Sequence, residues 1–155
     1  MPIIGLQVHV NWLADAGELR AFLDAHPQAA RICADLPLRA NLSVIENIAV
    51  IPQYRDNLGY NAAADLAWTL LTQAGYSDCA FKRDPDLSHE ERFVAKLLRA
   101  AISHPPVLLI DRPGMLLPDC LYPPLVRTLL ERMADRLNDC WIVDYRWNEP
   151  LYAPR

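Results

Sequence analysis

Two short runs, Val107-Leu108-Leu109-Ile110 and Cys140-Trp141-Ile142-Val143, are apolar at every position, and each follows an amphipathic helical stretch. A strand with one face in solvent alternates polar and apolar residues, whereas a strand covered on both faces does not. The helix–strand–helix–strand order over residues 88–143 therefore predicts parallel strands joined by crossover helices. The expected fold is α/β, with a parallel or mostly parallel sheet and flanking helices. Such sheets place ligands at the carboxyl ends of their strands, which puts Asp111 and the Asp144–Tyr145 pair where a site is expected.

The rest of the chain fills in around this pair. Residues 2–10 (PIIGLQVHV) are β-branched and partly alternating, so a strand is expected there. Asp15 or Ala16 opens a short amphipathic helix over 17–23 that ends near His26-Pro27, and residues 29–34 read as a short strand. Ser43 with Glu46 three residues on is a capping box and starts a brief helix. Residues 61–74 carry the clearest helical period, stopped by Gly75. Residues 77–86 read as loop. Ser88 caps a helix to about Ser103, where Pro105-Pro106 ends it. Residues 111–119 read as loop and 123–137 as a further helix. The tail after Asp144 is aromatic without a period; it either packs back on the sheet or forms a docking surface.

The length of 155 residues suits one domain over 1–155, with 58–104 as a helical region inside it. Its 52% hydrophobic and 22% charged residues exclude a wholly disordered chain. Apolar runs are broken well before ~18 residues, so no transmembrane helix or direct membrane insertion is expected. No positive charge precedes the first apolar stretch, so it does not read as a secretory signal. The net charge of −4 argues against nucleic acid as a partner. Cys33, Cys79, Cys120 and Cys140 lie far apart with no C-x-x-C pair, which argues against a zinc ribbon; Cys33 and Cys140 sit in strand-like apolar runs and read as buried free thiols, with a cytoplasmic location expected. His9, His26, His89 and His104 show no metal spacing, and no G-x-S-x-G elbow is present.

Three segments, in order, resemble the ATP-binding subunit family of ABC transporters. Residues 41–48 (NLSVIENI) are similar to the stretch after the family's Q-loop. Residues 70–76 (LLTQAGY) followed by 86–91 (DLSHEE) are similar to the helix, glycine turn and L-S-G-G-Q signature. Residues 99–113 (RAAISHPPVLLIDRP) are similar to the R-A-L…L-L-L-L-D-E-P segment that carries Walker B. The gaps from Leu87 through Arg99 to Asp111 match the family's spacing, and the resemblance covers about 29–145.

The departures carry as much weight. A phosphate loop needs Gly-x-x-x-x-Gly-Lys-Ser/Thr, because bare N–H groups wrap phosphate and the lysine neutralises it. No Gly-Lys dipeptide exists, and neither Lys82 nor Lys96 follows a glycine-rich turn. The segment ahead of residue 34 is too short for the family's usual one. Residues 2–10 with 17–26 are the material left to replace the missing strand–helix unit. No Gln stands near Ala34 or Asp35 for the Q-loop. His89, Glu90 and Glu91 replace Gly-Gly-Gln of the signature. Arg112 stands where the resemblance implies the water-polarising Glu, and Tyr145 where it implies the switch His. The D-loop acid is at best Asp119.

The resemblance implies degenerate ATP-site positions at Ser88, Glu91, Asp111 and Tyr145, with Asp111 as the magnesium carboxylate if metal binds. The bland alternatives are a Ser88–Glu91 capping box and Asp111 as a loop cap, or Asp111 paired with Arg112 in place of the lost cation. No cofactor is expected for a pseudo-ATPase. The expected function is a non-hydrolysing accessory protein that contacts an ABC ATPase subunit, a transporter permease or a second copy. Permease contact would use 38–57 and 61–87. One alternative is a subunit lending a partial magnesium-ATP site to a partner. Another is a stand-alone remnant with an unrelated ligand in the sheet-end crevice.

Overall fold

The computed structural model describes residues 1–153. Four strands, β1 (Val8–Leu13), β2 (Ala30–Ile32), β3 (Val107–Asp111) and β4 (Asp139–Tyr145), form one sheet in the order β1-β4-β3-β2. All three pairings are parallel. Six α-helices accompany them: α1 (Ala16–Ala25), α2 (Val44–Arg55), α3 (Tyr60–Ala74), α4 (His89–Ala101), α5 (Pro113–Leu116) and α6 (Tyr122–Met133). The expected α/β fold with a parallel sheet is therefore the one observed.

Both faces of the sheet are covered, which explains the unbroken apolar strands. Leu108 pairs with Cys140 and Ile110 with Ile142, and these four belong to the larger core with α2, α3, α4 and α6. Leu109 and Val143 point the other way, against Leu19 of α1. Burial pushes the Cys140 thiol up to about 12, so it is an inert core group. Cys33 and Cys79 are also buried, whereas Cys120 is exposed.

The helix starts follow local chemistry. Ser43 Oγ accepts from the Glu46 N–H at 3.3 Å, and Glu46 Oε1 accepts from the Ser43 N–H at 3.0 Å. Ser88 and Glu91 repeat the box at 3.1 and 3.0 Å. Hydrogen bonds from Ser43 and Ser88 hold the Glu46 and Glu91 carboxyls below their ordinary range. Gly75 ends α3 with φ at 85°, a left-handed conformation that a side chain would strain.

Several boundaries differ from the sequence reading. The first strand begins at Val8, not Pro2: Gly5 turns the chain at φ 81° and residues 1–6 close on themselves through an Ile3–Leu6 bridge. The helix opened by Ser43 is not brief; it continues through Pro52 to Arg55. The loop at 77–86 holds two 3₁₀ turns, Ser77–Cys79 and Asp84–Asp86. The loop at 111–119 holds α5, and the helix expected to Leu137 is α-helical only to Met133 before a 3₁₀ turn. The aromatic tail forms a 3₁₀ segment, Arg146–Tyr152.

Candidate functional site at the carboxyl edge of the sheet

Register gathers three strand ends. Asn11 and Asp111 both lie opposite Val143, and Leu13 lies opposite Tyr145. Because the strands are parallel, the turn after β1, the turn after β3 and the end of β4 share one edge.

The first of these turns joins β1 directly to α1. Residues 8–13 and 16–25 therefore form a strand–turn–helix unit, while residues 1–6 of the expected strand lie outside it. A helix start leaves backbone N–H groups free and favours negative charge. Here two carboxylates of the chain answer both needs. Asp15 Oδ1 accepts from the Glu18 N–H at 2.9 Å, and Glu18 Oε2 accepts from the Ala14 N–H at 2.7 Å. Both acids are exposed.

At the end of β3, Asp111 is 3% exposed and accepts from Arg112 Nε at 2.9 Å. Arg112 sits at φ 43°, uncommon for a non-glycine residue, and its N–H donates to the Val143 carbonyl at 2.8 Å. That turn brings the guanidinium back onto Asp111, 5.9 Å from the Tyr145 ring centroid. The bond to Asp111 raises the Arg112 pKa above its ordinary value. Tyr145 stacks on Trp147 at 4.3 Å, and Trp147 is 64% exposed.

At the end of β4, Asp144 is 2% exposed and takes four hydrogen bonds. Tyr122 Oη donates at 2.8 Å, Tyr152 Oη at 2.9 Å, Asn148 Nδ2 at 2.9 Å and the Tyr145 N–H at 2.8 Å. Burial first, and the contact with Asp144 second, push the Tyr122 and Tyr152 phenols well above their ordinary value. Tyr152 also packs edge-on against Trp12 at 4.9 Å, so this end of the tail lies back on the sheet while Trp147 projects from it. An open cavity of about 380 Å³ lies among Arg112, Met115, Tyr122, Tyr145 and Trp147.

The structure brings Asp111 and Tyr145 together through Arg112. It does not join Ser88 or Glu91 to them: those two bond each other, and Lys82 lies 3.2 Å from Glu91. Among the described residues no group of three or more His, Cys, Asp or Glu is placed to hold a metal ion. Among them, too, no helix is long and apolar enough to cross a membrane. Sequence reasoning missed the Asp15–Glu18 closure and the phenol partners of Asp144. The first left a signal in its acid-x-x-acid spacing ahead of a helix. The second left none, because Tyr122 and Tyr152 reach Asp144 only through the fold.

A four-stranded parallel sheet with α1 on one face and a helical layer on the other is a three-layer α/β fold. In fold the chain is similar to an ABC transporter ATPase cassette. It superposes on the dimeric structure of MJ0796, a bacterial ABC transporter cassette, with a TM-score of 0.69 over 96% of this chain and 78% of that one, at 17% identity. No protein-family model and no curated protein matches the sequence.

Proposed function

We propose that this chain is a non-hydrolysing relative of ABC ATP-binding subunits, acting by protein contact as an accessory or regulatory component of a transporter complex. The observation that carries the reading is the β1–α1 turn. In a P-loop protein a turn between strand and helix presents N–H groups and a lysine to phosphate. This one presents Asp15 and Glu18, each already bonded to the backbone N–H groups of the turn. A triphosphate approaching this turn meets two carboxylates in place of free N–H groups and a lysine.

The neighbouring groups support the same reading. Asp111, the position that would hold magnesium through water, is held by Arg112 instead. Arg112 has no lone pair to take a proton from water at physiological pH. Tyr145, with its ring beside that guanidinium, replaces the switch imidazole. The residues present therefore do not suit magnesium ATP bound in the family's manner, and no hydrolytic step is assigned to them.

The test is calorimetry of the protein with magnesium ATP. No heat is expected at ~1 mM nucleotide, where binding is worth only about 4 kcal/mol. Micromolar binding that disappears in Asp111→Ala overturns the reading. Co-purification with ABC ATPase or permease subunits tests its partner half. A partner's ATPase rate that falls on Ser88→Ala would instead favour a shared ATP site, with Ser88 facing the partner's nucleotide.

A further inference from the structure

On the opposite side of the sheet, beside the free edge of β2, lies a groove of about 550 Å³ between β2, the 36–39 segment and the C-terminal ends of α2 and α4. Its charged lining is entirely basic: Arg31, Arg39, Arg55 and Arg99. The chain as a whole carries net charge −4, so this concentration runs against its composition. None of the four arginines belongs to an ion pair among the described residues.

Two of them are fixed without being neutralised. Arg99 donates from Nη1 to the Pro37 carbonyl at 2.7 Å and from Nη2 to the Leu36 carbonyl at 2.6 Å. Arg55 donates to the Ser103 carbonyl at 3.3 Å. A carbonyl accepts the N–H but carries no net charge, so the field of each guanidinium remains. Burial, together with the Arg39 charge, pushes the Arg99 pKa below its ordinary value, as expected where cations crowd without an acid. The guanidinium groups of Arg31 and Arg39 make no hydrogen bond among the described residues. Between the charges the groove is apolar, with Ile51 on one wall and Leu36, 42% exposed, on another.

We infer that this groove docks an acidic peptide segment of a partner protein, one in which carboxylates alternate with large apolar side chains. Anchored, uncompensated guanidinium groups select carboxylates, and bidentate Arg–carboxylate pairing gives them geometry as well as charge. The apolar walls distinguish such a segment from a free anion or a polyphosphate, which gain nothing from Leu36 and Ile51. The inference rests on the proposed function, since it names the chemistry of the partner that reading requires.

The experiment is fluorescence anisotropy with a labelled Glu/Leu peptide, a Lys/Leu peptide of equal length and inorganic polyphosphate as competitor. The Glu/Leu peptide is expected to bind at least ~10-fold tighter than the Lys/Leu peptide and to weaken as salt rises. Arg31→Glu with Arg39→Glu is expected to lower that affinity ~10-fold or more. Arg31→Gln with Arg39→Gln should fall between, and all variants should keep the parent melting temperature, because neither side chain bonds within the fold. Equal binding of the two peptides, unchanged affinity in the double Glu variant, or polyphosphate competing as well as the Glu/Leu peptide each overturns the inference. A parallel magnesium-ATP titration separates the two claims. Micromolar ATP binding that Asp111→Ala abolishes, alongside selective peptide binding, sinks the non-hydrolysing reading and leaves the groove. No heat and no selective peptide binding sinks the groove alone.

Discussion

Charge is arranged in opposite ways at the two sides of the sheet. At the carboxyl edge four acids have internal donors: Asp15 and Glu18 take backbone N–H groups, Asp111 takes Arg112, and Asp144 takes two phenols, a side-chain amide and a backbone N–H. Along the free edge of β2, four arginines line a groove with no acid among them. The first region resembles a ligand site whose ligand groups have been supplied by the chain. The second leaves its charges to be met from outside.

The largest test of this contrast is Asp144→Ala. It strips the acceptor from two phenols, a side-chain amide and a backbone N–H, and an unsatisfied buried donor costs about 1–3 kcal/mol. The expected loss is about 3 kcal/mol in urea unfolding, or roughly 6–12 °C in melting temperature for a chain this long. A loss below about 1 kcal/mol would mean the tail and α6 hold without it.

Next in size is the alkaline limit. Tyr122 and Tyr152 titrate above their ordinary value of 10.0 in the folded protein. The native state then holds protons that the unfolded chain has released, so stability is intact below pH 10 and falls as pH rises beyond it, by up to about 1.4 kcal/mol per unit for each group. Phenolate absorbance from these two rings should appear together with loss of the far-ultraviolet dichroism. Phenolate signal from them in a still-folded protein would break the account of Asp144.

Smaller again is Asp15→Ala, which removes the cap of α1 and should cost about 1 kcal/mol by denaturant midpoint. Acid titration should show a weaker effect of the same kind. Glu46 and Glu91 sit below their ordinary value of 4.5, so their contribution is present above that pH and is lost as pH falls through the folded values. Glu46→Gln should flatten that acid limb in a urea midpoint series. The smallest effect belongs to the groove: Arg39→Gln should leave stability within about 0.5 kcal/mol of the parent, as expected for a residue facing outward.

Much of the fold was legible because its signals are local. Residues 107–110 and 140–143 are apolar at both parities, and that alone implied a doubly covered parallel sheet. Ser43–Glu46 and Ser88–Glu91 mark helix starts within four residues. The strand expected from Pro2 failed because β-branched composition says nothing of the turn that Gly5 imposes at positive φ. Of the site positions, Asp111 and Tyr145 were legible as strand ends, since topology fixes where parallel strands finish. The Arg112 contact with Asp111 was open as one alternative and is present. The basic groove was not legible, because Arg31, Arg39, Arg55 and Arg99 come from separate elements and become neighbours only when α2, α4 and β2 pack.

The position of β4 has a consequence for how the chain is made. It lies between β1 and β3 in the sheet, yet follows both in sequence. While a ribosome is still adding residues before 139, β1 has no strand to pair with, and β3 has one edge open. Val8–Leu13 is then an unpaired, β-prone segment waiting on a partner more than a hundred positions away. During that interval the unpaired strand edges are open to strand addition by other chains. Loss of β4 would leave β1 with no place in the sheet, however intact the helical layer remained.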